Sequence, residues 1–403
     1  MNILFVHQNF PGQFPHLAPA LAARGHRVLA LTDAANRRPS PVPVLRYRSP
    51  DSPQWQGPGA DYARHAARGA VVARACAQLA REKGYVPDLI VGHVGWGEML
   101  FLREVWPRAR LLAYAEFFYR SEGLDVGFDP EFRTPDLGAR IGTRARQAHI
   151  LMAMQDADAA LAPTQWQAAT FPDALRDRIR VIHDGIDTLT MCPDHSASLT
   201  LPDGRLLRAG DEVVSFVNRN LEPYRGFHIF MRALPAVLAA RPRAQVVILG
   251  GEGTSYGAPP PGGGSWKDRM LAELGDRLDL SRVHFLGRVP HAQFRALMQV
   301  TRVHAYLTYP FVLSWSMLEA MSAGALVIGS RTGPVEEVIR DGENGRLVDF
   351  LDLRGWSDAL VAALTDPSRD DPLRRAARQT VLDRYDLHAG CLPVQTAFVE
   401  SLA

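Results

Sequence analysis

Short apolar runs alternate with longer stretches in which apolar residues recur every three or four positions, and this rhythm is repeated twice. Residues 3–7 (ILFVH) form a first run. Leu17 and Leu21 then follow at helical spacing up to Gly25, and residues 27–32 (RVLALT) form a second run. Strand, helix, strand in about 30 residues is a βαβ unit, which feeds a parallel sheet. The rhythm continues with a helix in "ARGAVVARACAQLARE", strands at 88–93 and 109–116, a helix in "RARQAHILMAMQDAD", a strand at 159–164 and a closing segment at 178–187.

The pattern then loosens into the polar, turn-rich stretch "TLTMCPDHSASLTLPDGRLLRAGDE". A second alternation opens with "VVSFVNR" at 213–219. It runs through the strands "AQVVILGG", "VHFLGRV", "VHAYLTYP", "ALVIGS" and "GRLVDF", with helices between them. Between two of these elements lies "GGEGTSYGAPPPGGGSW", too rich in glycine and proline for regular structure and long enough for a binding or lid loop. The expected organisation is a first Rossmann-like domain over 1–190, a linker over 191–212, a second domain over 213–375, and C-terminal helices over 376–403 that pack back on the first domain. Ligands are expected at the carboxyl ends of the strands and in the cleft between the domains.

Composition narrows the picture only a little. At 403 residues the chain is too long for one ordinary core. Its 47% hydrophobic and 22% charged residues are those of a folded soluble protein, and a formal charge of +2 gives no reason to expect a nucleic-acid partner. Three well-separated cysteines, with no CxxC, suggest neither a disulfide framework nor a zinc site. No stretch approaches the roughly 18 apolar residues of a membrane span, and "MNILFVHQNF" lacks the basic start and the apolar length of a secretion signal. The expected location is cytoplasmic. No GxGxxG follows the first strand, which disfavours a dinucleotide dehydrogenase.

Candidate chemistry sits at strand ends in the second half. In "NRNLEPYRGF", Arg219 and Arg225 flank a proline-containing turn that opens a helix. Two guanidinium groups beside a helix start can hold a diphosphate by charge-assisted hydrogen bonds, although solvated arginines are common in a chain whose lysines are Lys83 and Lys267 alone. In "TYPFVLSWSMLEAMSAGALVIGS", Glu319 is a lone acid on a short helix. Its S-x-x-E spacing from Ser316 fits a capping box. With Ser314 as the cap instead, Glu319 lies deeper in the helix and is free to face a ligand, and the sequence leaves both readings open. Glu336 and Glu337 in "TGPVEEVI" read as one solvated and one ligand-facing acid rather than an acid/base pair.

Taken in order, "HDGID", "NRNLEPYRG", "FLGRV", "LEAMSAGALVIGS", "TGPVEEVI" and "DGENGRLV" resemble the retaining glycosyltransferases of family 4. The likeness is strongest over 213–350, and "FVHQNFPGQF" and "GHVGWGE" resemble a bacterial subgroup of that family. It implies an α/β chain of GT-B fold, two Rossmann-like βαβ domains facing each other across a cleft. The implied activity is transfer of a sugar from a nucleotide-diphosphate sugar to an acceptor with retention of configuration, without a metal or other cofactor.

By position, Arg219 and Arg225 match the basic pair that binds the donor pyrophosphate, with Arg225 standing where lysine is usual. Glu319 matches the second glutamate of the E-x7-E motif, which binds the ribose hydroxyls, and Arg288 and Val289 match the segment that meets the base. Ser314, Trp315 and Ser316 fall beside the phosphate, where "VLSW" replaces the usual Pro-Phe-Gly-Leu. Gly12 suits the close-approach loop after the first strand, and His93 matches a histidine near the donor sugar, a structural histidine being the alternative; His7 is a lesser candidate. The clearest departure is Phe311, which stands where the motif has its first, sugar-contacting glutamate. The acceptor is open among polysaccharide, lipid, protein and small molecule. The resemblance leaves room for peripheral association with a membrane surface and says nothing of oligomeric state. The competing readings are a nucleotide-sugar epimerase and a non-catalytic nucleotide-sugar-binding protein.

Overall fold

In the computed structural model, which describes residues 1–51, 56–132 and 136–402, the apolar runs become two separate parallel sheets. The chain divides into one unit of residues 1–185 and 388–403 and a second unit of residues 186–387. Ala403, the last residue of the expected C-terminal segment, lies outside the described residues.

The first sheet has seven strands: β1 (Asn2–Val6), β2 (Arg27–Asp33), β3 (Val44–Tyr47), β4 (Leu89–His93), β5 (Arg110–Tyr114), β6 (Ala159–Ala162) and β7 (Ile179–Val181). Their order is β3-β2-β1-β4-β5-β6-β7, all parallel. β4 is buried along its whole length because helices cover both faces of a parallel sheet, which is why it reads as an unbroken apolar run. One apolar layer on this sheet gathers Val72, Ile150 and Met154 from the helices Ala60–Lys83 and Leu137–Asp156, and the other gathers Phe10, Phe14, Leu17 and Leu21.

The second unit begins with an antiparallel hairpin, β8 (Ser198–Thr200) with β9 (Leu206–Arg208), inside the stretch expected as a linker. Leu199, Leu201 and Leu207 of this hairpin pack with Leu297 and Val300, so residues 197–207 form part of the second core. Six parallel strands follow: β10 (Val213–Asn220), β11 (Gln245–Gly251), β12 (Val283–Gly287), β13 (Val303–Tyr306), β14 (Leu326–Ser330) and β15 (Arg346–Val348), in the order β12-β11-β10-β13-β14-β15. The helix Asp371–Arg384 belongs to this unit, with Ala377 and Val381 packed against Met317, Leu318 and Val335. The later helix Leu392–Glu400 belongs to the first unit, where Val399 enters the apolar layer, Gln395 donates to the His183 carbonyl at 3.0 Å, and Glu400 takes both Nε and Nη2 of Arg24 at 2.7 Å. Among the described residues no helix is long and apolar enough to cross a membrane.

In both sheets the strand order reverses at one place, β1/β4 in the first and β10/β13 in the second. The strand ends at such a reversal form the crevice where ligands usually bind in a doubly wound sheet. In the second unit the turn leaving β10 passes so close to the chain leaving β13 that only glycine fits. A Cβ on Gly226 would lie 2.2 Å from that of Leu307, and its φ of 68° is left-handed. Gly226→Ala is expected to lower the denaturant midpoint of unfolding by the equivalent of about 1–3 kcal/mol; an unchanged midpoint would show that this approach is not tight.

Candidate active site

At the β10/β13 crevice the sequence folds a 3-10 turn, Pro223–Arg225, directly after the strand. Pro223 starts the turn and Gly226 ends it, and the result places Arg225 inside the protein, 4% exposed. Its Nη1 donates to Thr308 Oγ1 at 2.8 Å and to the Val312 carbonyl at 2.9 Å. Ser330, at the end of β14, holds Thr308 in place by accepting its amide at 3.1 Å. The rings of Tyr256 and Phe311 lie 5.1 and 5.5 Å from the guanidinium carbon, and Tyr224 stands 5.0 Å edge-on to Phe311.

Among the described residues no carboxylate pairs with Arg225. Burial opposes its charge, but the neighbouring phenolic oxygens of Tyr306 and Tyr256 favour it, and its pKa is raised. An unpaired buried cation is costly. Arg219, on β10 itself, is exposed, and among the described residues it has no hydrogen bond or ion pair.

The helix carrying Glu319 settles the capping question. It spans Trp315–Ser322 with Ser314 as its cap: Ser314 Oγ accepts from the Ser316 amide, and the Ser314 amide donates to Tyr306 Oη at 2.8 Å. Ser316 is buried within the first turn and Trp315 is 36% exposed there. Glu319 therefore sits in the second turn, outside any capping box, and among the described residues its side chain has no hydrogen bond. Burial alone pushes its carboxyl up to about 7. Glu319 is thus a desolvated acid whose side chain has no hydrogen-bond partner among the described residues.

Arg288, after β12, donates from Nη2 to Asn220 Oδ1 at 3.1 Å and so lies beside the end of β10. The Val289 side chain joins the apolar cluster of Leu297 and Val300. Phe311, where the motif has a glutamate, is 2% exposed and forms a wall of the arginine cage.

At the β1/β4 crevice of the first unit lies a second polar group. His93 ends β4; its Nδ1 accepts the Gly95 amide at 2.9 Å, so the ring hydrogen is on Nε2, which meets Glu116 Oε2 at 3.2 Å. Gln13 donates to the other oxygen of Glu116 at 3.0 Å. Burial disfavours ionisation of Glu116, but the bonds from His93 and Gln13 outweigh it and its pKa is lowered. Both ring nitrogens of His93 are thus engaged, and both oxygens of the Glu116 carboxylate are bonded as well, on a side chain that is 25% exposed.

His7, at the end of β1, is held neutral by burial and by His93, its pKa lowered to about 3. Its Nδ1 accepts the Asn9 amide at 3.0 Å, which leaves Nε2 and the nearby Gln13 Oε1 as buried polar atoms without partners among the described residues. Gly12 covers this imidazole, with its Cβ position 2.6 Å from the ring and φ of 53°. From sequence, Glu116 falls in the stretch 114–132, whose aromatics and acids after a strand read as part of an acceptor cleft or as a packed surface loop, and Tyr256 falls in the glycine- and proline-rich loop; sequence alone does not single out Gln13 or Glu222. The signals available were an acid just after a buried parallel strand and an acid three residues before Arg225.

Two Rossmann-like units with this strand order define a GT-B protein. Residues 24–191 fit the family model described as glycosyl transferase family 4 group, and residues 202–380 fit that of glycosyl transferases group 1. The chain belongs to the family 4 glycosyltransferases. It is 28% identical over 298 residues to a D-inositol 3-phosphate glycosyltransferase from Nocardia farcinica, an alignment spanning 72% of this chain and 59% of that one. It is 30% identical over 192 residues to the Mycobacterium avium protein of the same name, spanning 47% and 42%. This chain thus matches about three fifths or less of those two relatives' lengths. Among solved structures it is similar to sucrose-phosphate synthase from Thermosynechococcus elongatus, with a TM-score of 0.74, 19% identity and coverage of 100% and 99%. It is also similar to Anabaena HepE in complex with UDP-glucose, with a TM-score of 0.68, 18% identity and complete coverage of both chains.

The raised pKa of Glu319 has a definite sign. In the unliganded protein the folded state binds this proton more tightly than the unfolded chain, so the contribution to stability is present below the ordinary carboxyl range and is lost as pH rises through about 7. A ligand whose hydroxyls donate to the carboxylate prefers the ionised form. Affinity for a nucleotide sugar, whose diphosphate diester does not titrate in this range, is therefore expected to rise as pH approaches 7, by at most about tenfold per unit, and then level off. Glu319→Gln should remove the slope and weaken binding by roughly 10–100-fold. Calorimetry between pH 5 and 8 checks both, and equal slopes in the two proteins would contradict the assignment.

Proposed function

We propose that the chain transfers a sugar from a nucleotide-diphosphate sugar to a hydroxyl acceptor with retention of configuration and without a metal. The observation that carries this reading is Arg225, a buried guanidinium without a carboxylate partner among the described residues, placed at the crevice of a parallel sheet. A diphosphate supplies the missing negative charge, and Arg219 on the adjoining strand end supplies a second cation. Glu319 accepts the two ribose hydroxyls, and Arg288 with the backbone around Val289 faces the base. Ser314, Trp315 and Ser316 present the start of their helix to the phosphate.

In the reaction, the bond between the anomeric carbon and the β-phosphate oxygen breaks, and the acceptor oxygen bonds to that carbon on the same face. The acceptor proton passes to the departing phosphate oxygen. Negative charge grows on the phosphate as the bond breaks, so Arg225 and Arg219 act more strongly on the transition state than on the bound donor. In the first unit we assign acceptor recognition to Glu116, which is ionised and can accept from a hydroxyl. His93 and Gln13 orient it, and the loop containing Gly12 covers His7 beside them. The relatives named for D-inositol 3-phosphate fit a polyhydroxyl acceptor.

A second reading, a non-catalytic nucleotide-sugar-binding protein, is favoured by Phe311 alone. A panel of nucleotide sugars separates the two: slow donor hydrolysis is the mark of the transferase, and binding with no turnover is the mark of the binding protein. For the transferase, Arg225→Ala is expected to reduce kcat by about 100-fold or more while weakening nucleotide diphosphate binding much less. Equal losses would contradict a leaving-group role. Chelation with EDTA is expected to leave turnover unchanged and the product anomer is expected to match the donor's, as read by proton NMR; loss of turnover or inversion would overturn those two assignments.

A further inference from the structure

We propose that Tyr256 is a further anion-binding residue at Arg225 and that Glu222 is the residue that positions it; this rests on the reading that a diphosphate occupies the Arg225 site. The chain between β11 and the helix Trp266–Leu274 is rich in glycine and proline and has no regular structure up to Ser265. Glycine-rich segments lose much conformational freedom when ordered, so a fixed course needs specific anchors.

The principal anchor is Glu222, fully buried in the turn that also carries Arg225. Its carboxylate accepts the successive backbone amides of Ser255 (3.3 Å), Tyr256 (3.2 Å) and Gly257 (2.9 Å). Three amides converging on one carboxylate form an anion-binding nest, filled here by the protein's own side chain. Asn220 Nδ2 donates to Ser255 Oγ at 2.6 Å and Trp266 Nε1 to the Ala258 carbonyl at 3.0 Å, fixing the loop on either side.

The consequence is the position of Tyr256. Its ring packs 5.1 Å from the Arg225 guanidinium carbon and 5.0 Å from Phe311. Of the two rings against the guanidinium, Phe311 has no hydrogen-bond donor and Tyr256 has one. Glu222 and Arg225 share one short turn, so a single rigid piece of backbone holds both the cation and the anchor that brings a phenol to it. No ion pair joins the acid to the base among the described residues, and the acid's oxygens are taken by the loop amides. A phosphate oxygen on Arg225 is thus met by a second donor, from the loop.

The test is binding of inorganic pyrophosphate and of uridine diphosphate to the full chain by calorimetry, with Tyr256→Phe, Glu222→Gln and the double variant. Tyr256→Phe is expected to weaken both by about tenfold. Glu222→Gln should cause a similar loss with faster hydrogen exchange at residues 255–257, and the double variant should bind no more weakly than the weaker single one, because both act through the same phenol. Wild-type affinity in Tyr256→Phe, or a double loss equal to the product of the two single losses, overturns the proposal. Tyr256→Phe decides alone if Glu222→Gln does not fold. Failure of the wild-type protein to bind either probe would instead overturn the diphosphate reading itself.

Discussion

A guanidinium buried without a counter-charge constrains the second unit more than any other single feature. Removing Arg225 from water costs several kcal/mol unless its donors are met and its charge is balanced. The structure meets part of that cost with Thr308, the Val312 carbonyl and two aromatic faces, and leaves the charge unbalanced. Much of the local architecture follows from this. Gly226 lets the turn reach the chain after β13, Ser330 steadies Thr308, and Tyr306 sets the first turn of the helix that bears Glu319. Phe311 belongs to the same arrangement as one of the two rings packed against the guanidinium.

The first unit solves a different problem at the equivalent place in its sheet. Its strand ends present the neutral imidazole of His7 and one carboxylate kept ionised by hydrogen bonds from His93 and Gln13. An uncompensated cation suits a diphosphate, and an oriented carboxylate suits hydroxyl groups. The same βαβ scaffold therefore carries two kinds of recognition, as expected when function resides in the side chains at strand ends rather than in the fold.

The parallel strands were legible because burial on both faces makes them continuous apolar runs, as in β4 and β14. β3 was not: Val44–Tyr47 is a short edge strand with Leu45 and Arg46 exposed, so it carries no such run. The hairpin at 198–208 was missed for a related reason, since one buried residue per strand is a faint signal between polar turns. Arg225 and Glu319 could be picked out because strand ends and helix starts show in the sequence. Which serine caps the helix depends on one hydroxyl rotamer and on Tyr306, and sequence spacing contains neither. The Glu222 anchor depends on the register that sets Asn220 beside Gly251, which brings the turn after β10 next to the loop after β11. Strand order would have suggested that neighbourhood, but spacing along the chain does not.

The most direct measurement is a crystal structure with a nucleoside diphosphate bound. Phosphate oxygens are expected within about 3 Å of the guanidinium groups of Arg225 and Arg219, with the ribose hydroxyls on Glu319. A nucleotide bound elsewhere, with Arg225 still bonded to the protein's own groups alone, would contradict that expectation.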